Sequence, residues 1–348
     1  MDMQQALARL VARQDLSRDE MASVMTTVMS GGATDAQIGA LLVALRMKGE
    51  TIDEIAGAAQ VMRELATPVA VSGPHLVDLV GTGGDGANLF NVSTAATFVV
   101  AAAGAQVAKH GNRSVSSTSG SSDLLQELGM PMDLSPAQVA RSINSVGMGF
   151  MFAPAHHSAM RHSVGPRREL GMRTIFNVLG PLTNPAGVKR QLVGVFDPAL
   201  CEPLAEVLKV LGSEHVLVVH GEGGLDEITI SGSTEVAELV RGTVSSYRIA
   251  PEDFGLERQD LDGLSVGSAS ESAALIRAAL GRDDSELARK AAAMIALNAG
   301  ATIYVSGLAA TIADGVALAD DLIATGQAME KLKEFVSFTQ MMSSGGHD

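Results

Sequence analysis

The sequence predicts an α/β protein: a small all-helical domain plus a larger α/β domain with a mostly parallel central sheet covered by helices. Three observations lead there. Residues 1–66 carry helical signals throughout and no strand pattern. From "HLVDLV" onward, short apolar runs alternate with segments of helical spacing, as in a parallel sheet covered on both faces. Apolar residues make up 46% of the 348 and aromatics 3%, with no Trp, so the core is built from Ala, Val, Leu, Ile and the 17 Met, and 37 Gly supply tight turns.

The elements follow in order. Capping boxes occur at Ser17 with Glu20, Thr34 with Gln37 and Thr51 with Glu54. Each precedes an apolar stretch at helical spacing: "MASVMTTVM", "IGALLVALRM" and "IAGAAQVM". Gly31 and Gly49 close two of these helices, so a small bundle with short connections is expected. Pro68, Gly73 and Pro74 then break the helical register. This places a helical domain at 1–66, joined by some helices from about 155–180, and the α/β domain at 67–348. In the latter, "HLVDLV", "QVAKHG", "GFMFA", "RQLVGVF" and "HVLVVHG" read as strands, and "AATFVVAAAG", "DLLQELG", "PAQVARSINSV" and "CEPLAEVLKVLG" as helices. "STEVAELVRGTVSSYRI" reads as a β insertion; Ser268 to Phe338 is helical, and the last ten residues are expected to fray.

Charge and composition exclude several function classes. A formal net charge of −14 and scarce aromatics argue against nucleic-acid binding, which needs a basic footprint or stacking rings. Cys201 is the single cysteine, so no intrachain disulfide forms and a reducing compartment is expected. The opening "MDMQQALARL" lacks a signal-peptide pattern, and no run approaches the ~20 apolar residues of a membrane span. A soluble, cytoplasmic protein is expected. Between Lys109 and Arg173, however, seven Lys or Arg face four Asp or Glu, and four of the eight His fall there. A locally basic middle in an acidic chain suits an anionic small molecule.

The first candidate site is "GTGGDGANLFNVSTA", residues 81–95. Gly81, Gly83 and Gly86 match the dinucleotide pattern G-x-G-x-x-G after a strand. Two features count against that reading. The helix is expected to start later, capped by Ser93 or Thr94. The acidic residue expected about twenty positions on is replaced by Lys109 and His110. A Walker loop fails because no Gly-Lys pair occurs. What remains is a strand, a glycine loop and a helix start with Asn91, Ser93 and Thr94, a concavity of backbone N–H groups and hydroxyls suited to phosphate. The second candidate is "KHGNRSVSSTSGSSDLLQELG", residues 109–129, with six Ser and one Thr in nine residues, flanked by Lys109 and Arg113, before a helix opened by Asp123. Such a tract is often a linker, but it lies between a buried strand and a helix. Two loops of this kind at the carboxyl ends of adjacent strands define one crevice.

These stretches, together with "HHSAMRHSVGPRRELGMRTIFNVLGPLTNPA" (156–186) and "GLDEIT" (224–229), resemble the anthranilate phosphoribosyltransferase family. The motifs stand in family-like order and spacing, and the resemblance runs to about residue 338. The family moves phosphoribose from 5-phosphoribosyl 1-pyrophosphate to the amine of anthranilate, an early step of tryptophan biosynthesis. The fold family also holds pyrimidine nucleoside phosphorylases, which is the alternative function.

The resemblance implies the following site. Gly81, Thr82, Gly83 and Gly84 contact the pyrophosphate, with Asp85 beside them. Asn91, Ser93 and Thr94 bind the ribose 5-phosphate and pyrophosphate region. Lys109, Gly111, Asn112, Ser117 and Ser121 complete the donor cradle. Ser93, Asp226 and Glu227 hold Mg2+. Arg167 meets the anthranilate carboxylate, which a planar guanidinium can hold bidentately, although Arg161, Arg168 and Arg173 lie close enough in sequence to compete for that role. Gly81, His110, Asn112, His157, Gly180 and Pro181 line the acceptor path. No strong acid or base is implied: Lys109, Asn112 and Arg167 act by positioning. His156, His157 and His162 lack the partners of a zinc site. The helical domain implies a homodimer.

Overall fold

The computed structural model describes residues 1–113 and 118–344. Four helices come first: α1 (Met3–Val11), α2 (Arg18–Met29), α3 (Asp35–Lys48) and α4 (Ile52–Leu65). The capping boxes at Ser17, Thr34 and Thr51 are all formed, and a further one, Asp2 with Gln5, opens α1. Each satisfies helix-end N–H groups that would otherwise lack partners.

The α/β part supplies β1 (Leu76–Gly81), α5 (Val92–Ala102), β2 (Gln106–Gly111), α6 (Ser121–Glu127), α7 (Pro136–Val146) and β3 (Met148–Phe152). Then follow α8 (Ala153–His156), α9 (Arg161–Leu170), α10 (Phe176–Leu179), β4 (Arg190–Gly194), α11 (Cys201–Val210) and β5 (His215–Gly221). The predicted β insertion is the hairpin β6 (Thr234–Val240) and β7 (Thr243–Ile249). The chain closes with α12 (Ala269–Leu280), α13 (Glu286–Ser306), α14 (Ile312–Ala324) and α15 (Gln327–Ser344).

The strands form one sheet in the order β3-β2-β1-β4-β5-β6-β7. Strands β1 to β5 run parallel, and the hairpin adds an antiparallel edge. Connections from β1 lead outward to β2 and β3, and the chain then returns to β1's other side with β4. Ligands in such sheets bind where the direction reverses, beyond the carboxyl ends of the strands. One face of the sheet packs on α5, α12, α13, α14 and α15, a core that includes Val77, Leu79, Phe98, Val107, Ile295 and Phe335. The other face packs on the amino-terminal helices, the α10 region and α11, through residues such as Leu41, Leu45, Phe176, Val193, Leu204 and Val218.

Three expectations need correction. Helix α5 begins at Val92 with Asn91 in the cap position, and neither Ser93 nor Thr94 caps it. Helix α6 begins at Ser121; Asp123 sits in its first turn and accepts the Gly120 N–H at 2.9 Å. Residues 339–344 do not fray: α15 continues to Ser344 because Thr339 and Met342 are buried, while residues 345–348 lie outside the described residues.

Candidate active site

Strand β1 changes partner along its length. Leu76 and Val77 pair with β2, whereas Asp78 to Gly81 pair with β4. Side chains take over where β1 and β2 part. Asp78, fully buried, accepts the His110 N–H at 3.2 Å and the Asn184 side-chain amide at 2.7 Å. That same amide nitrogen donates to the Ala108 carbonyl at 2.8 Å. The buried Lys109 ammonium donates to the Leu79 carbonyl at 2.5 Å. A split sheet would otherwise leave buried backbone groups without partners. Asp78 and Asn184 are absent from the sequence-predicted site; the signal for Asp78 was a lone carboxylate inside an apolar strand.

Alternation along β2 sends its side chains to opposite faces. Lys109 points to the α5 side, where burial pulls its pKa down against the opposing charges of Asp78, Glu227 and Asp226. His110 points to the other side, its ring centroid 5.1 Å from that of His157. Burial lowers both imidazoles, His157 to about 4, so both are neutral near pH 7. The Gly180 backbone lies by His110 and the Thr183 backbone by His157, each favouring the protonated ring less than burial opposes it, and the buried Nε2 of each ring has no partner. Gly180 and Pro181 open the short turn Gly180–Leu182, whose Gly180 backbone lies by the His110 ring.

The glycine loop bends through positive φ at Gly83, Gly84 and Gly86. Its Gly83 N–H donates to Asp226 Oδ2 at 2.7 Å, and the Ser93 N–H of α5 donates to Glu227 Oε1 at 3.1 Å. The adjacent carboxylates on the loop after β5 thus reach two donor elements at once. Space for that loop comes from glycines: a Cβ on Gly81 would strike the Asp226 carboxylate, and one on Gly194 would strike the Asp226 backbone carbonyl. Gly194 also escaped the sequence reading. Burial together with Asp85 pushes the Asp226 pKa up, and burial together with Asp226 pushes Glu227 up. A cation would relieve this crowding. Among the described residues no cluster of three or more His, Cys, Asp or Glu forms a metal cage. Mg2+ does not require one, since it commonly takes one or two carboxylates and completes its shell with substrate phosphates and water. The donor set therefore fits Mg2+.

The rest of the predicted donor cradle is placed as follows. Thr82 accepts the Phe196 N–H at 3.2 Å and Asp85 accepts the Ala87 N–H at 3.2 Å. Thr94 is fully buried with its hydroxyl unpartnered. Asn112 is exposed at the end of β2 and its carbonyl accepts from Ser122, while Gly111 lies against Phe150 and Ser121. Ser117 lies outside the described residues. The Asn91 side chain is held by protein groups, Ser119 and Ser272.

Arg167 is the arginine turned inward. It is half-buried on α9, its guanidinium 5.0 Å from the Phe176 ring, whereas Arg161 and Arg168 are exposed. Arg173 is committed elsewhere: it stacks 4.0 Å from the Phe196 ring and donates to the Gly84 carbonyl. His156 bonds the Thr67 carbonyl at 2.9 Å, and the His162 ring packs against Gly31, so the three histidines do not converge on a metal.

Residues 73–329 match the family model described as glycosyl transferase family, a/b domain, and residues 4–66 match its helical bundle domain. The anthranilate phosphoribosyltransferase of Teredinibacter turnerae is 64% identical over 98% of this chain and 100% of its own. The chain belongs to the anthranilate phosphoribosyltransferase family. Among solved structures, the family member from Thermus thermophilus superposes with a TM-score of 0.90 at 43% identity, covering 96% of this chain and 99% of that one. The Saccharomyces cerevisiae member, solved with PRPP and Mg, gives 0.88 at 27% identity over 97% and 98%, and it is also known with 4-fluoroanthranilate.

Proposed function

We infer that this chain transfers the phosphoribosyl group of 5-phosphoribosyl 1-pyrophosphate (PRPP) to the amine of anthranilate, giving N-(5-phosphoribosyl)anthranilate and pyrophosphate. The observation that carries this reading is the convergence of Asp226 and Glu227 on the Gly83 and Ser93 N–H groups, beside a strand that sends Lys109 to one face and His110 to the other. Its support is membership of the family and the ligands named for the yeast member.

On this reading Asp226, Glu227 and Ser93 would hold Mg2+, which would supply positive charge to favour pyrophosphate as a leaving group. The glycine loop, the start of α5 and the Lys109 ammonium are fixed before the reaction by their bonds to Asp226, Glu227 and the Leu79 carbonyl, so charge that develops beside them is stabilised without reorganising. The ribose carbon becomes oxocarbenium-like, as in glycoside chemistry. Anthranilate's amine is already neutral and nucleophilic, so Arg167 and the His110–His157 face orient it and no strong base is needed. The neutral rings suit this role: each offers an Nε2 lone pair to the amine's N–H groups.

The experiment is direct. Anthranilate fluorescence should fall only when PRPP and Mg2+ are both supplied, and persistence of the signal with both present overturns the assignment. Further parts of the same reading are a place in tryptophan biosynthesis, a cytoplasmic location and a homodimer formed through the helical unit of residues 1–66 and the helices around α9. Exposed Val11, Met47, Leu65 and Val164 on those helices support the dimer. Among the described residues no helix is long and apolar enough to cross a membrane. Light scattering that reports a monomer at micromolar concentration would remove the dimer.

A further inference from the structure

We propose that Ser272 is a positioning residue for the phosphoribosyl donor, which acts by turning the Asn91 side chain away from the start of α5. The inference rests on the donor assignment made above for Asn91, Ser93 and Thr94. An Asn in the cap position ordinarily accepts an N–H from the second or third helical residue, here Ser93 or Thr94. Asn91 makes no such bond.

Its amide is engaged elsewhere. Asn91 Oδ1 accepts the Ser272 hydroxyl at 2.8 Å and the Ser119 hydroxyl at 3.0 Å. Its Nδ2 donates to the Ser119 carbonyl at 3.0 Å, and its backbone N–H donates to Ser272 Oγ at 3.0 Å. Ser272 is fully buried in α12, so its hydroxyl is spent on Asn91 alone, donating once and accepting once. An asparagine diverted in this way leaves the Ser93 and Thr94 N–H groups without the usual side-chain cap, and the Ser93 N–H is taken by the Glu227 carboxylate instead.

The segment leading into α12 carries both donor loops on one platform. The Phe90 N–H donates to the Leu264 carbonyl at 3.0 Å, and the Val266 N–H donates to the Asn88 carbonyl at 2.9 Å. Thr118, in the second loop, donates its hydroxyl to the Val266 carbonyl at 2.7 Å. Ser272 therefore lies where the glycine loop, the serine loop and α12 meet, and together with Ser119 its hydroxyl holds Asn91 to the loops instead of to the helix start.

The test is calorimetric titration of PRPP with Mg2+ into the full chain and its Ser272→Ala variant, with steady-state kinetics in anthranilate. The expected result is a donor Kd raised about tenfold, the worth of one or two hydrogen bonds, with the anthranilate KM within about twofold because that side is untouched. The melting temperature should change by no more than a few degrees, since the Asn91 N–H loses its acceptor while the released Asn91 side chain can cap α5. In an Asn91→Ala background the same change should add nothing, because Ser272 acts through that amide. Should Ser272→Ala fail to fold, Ser272→Cys, which replaces the hydroxyl by a weak donor, carries the same expectation. A donor Kd unchanged in the variant overturns the inference alone. So does an equal rise in both substrates' KM with a lower melting temperature. No heat with the wild-type chain overturns the donor assignment, and the inference with it.

Discussion

Lys109 and His110 are consecutive on β2 and divide the crevice between them: the ammonium bonds the Leu79 carbonyl at 2.5 Å on one face, while the imidazole lies against His157 on the other. A strand's two-residue repeat is the cheapest way to present different chemistry on two sides of a sheet. One face carries the carboxylates and the N–H groups assigned to the donor, the other neutral rings and the inward-turned Arg167. The assignments can be tested one face at a time.

Lys109→Gln should weaken the donor. The change removes a buried ammonium that faces Asp78, Asp226 and Glu227. The expected outcome is a PRPP KM at least about tenfold higher, as for loss of a charge-assisted contact. Stability should also fall, because the charge that offsets the burial of Asp78 is removed. Initial-rate kinetics and urea unfolding read the two effects separately.

Arg167→Ala should weaken the acceptor. A lost bidentate carboxylate contact corresponds to an anthranilate KM raised on the order of 10- to 100-fold, with the PRPP KM within about twofold. Arg168→Ala and Arg161→Ala, both at exposed positions, should stay near wild type. Equal losses for both substrates in Arg167→Ala would remove the acceptor assignment.

Gly194→Ala should damage the acidic loop more than Gly81→Ala does. The added methyl at Gly194 meets the Asp226 backbone, whereas at Gly81 it meets the movable Asp226 side chain. Overpacking against backbone costs about 1–3 kcal/mol. We expect Gly194→Ala to need a higher Mg2+ concentration for half-maximal rate, measured by metal titration at saturating substrates. Identical metal dependence in wild type and Gly194→Ala would contradict the packing argument.

Local patterning made the strands and helices legible. Capping boxes at Ser17, Thr34 and Thr51 formed as read, since a box is a contact between residues three apart. "QVAKHG" and "PAQVARSINSV" became β2 and α7 with those bounds. What escaped was decided across the fold. The start of α5 depends on Ser272, 181 residues from Asn91, which no local rule can see. The split between β1 and β2 depends on Asp78 meeting Asn184, and the room for Asp226 depends on Gly194. Burial likewise separates the arginines in a way that sequence does not show: α9 turns Arg167 toward Phe176 and leaves Arg161 and Arg168 in solvent.

His157 gives a prediction about acid stability. Burial, with His156 contributing, lowers its pKa from 6.5 to about 4 in the folded chain. Between those values the unfolded chain binds the proton and the folded chain does not, so stability rises with pH. The contribution is fully present above about pH 6.5 and is lost as pH falls toward 4; the linkage amounts to about 3 kcal/mol between pH 7 and pH 4. Other groups titrate in this range, including His110 with the same sign and Glu227 with the opposite one. The difference between wild type and His157→Asn removes them. Urea unfolding at pH 7 and pH 4.5 should show the wild type losing more stability on acidification than the variant, by roughly 2–3 kcal/mol. Parallel losses in the two proteins would mean that folding does not lower the His157 pKa, so the ring would gain its proton below about pH 6.5 and the lone pair assigned to orienting the amine would be lost over that range.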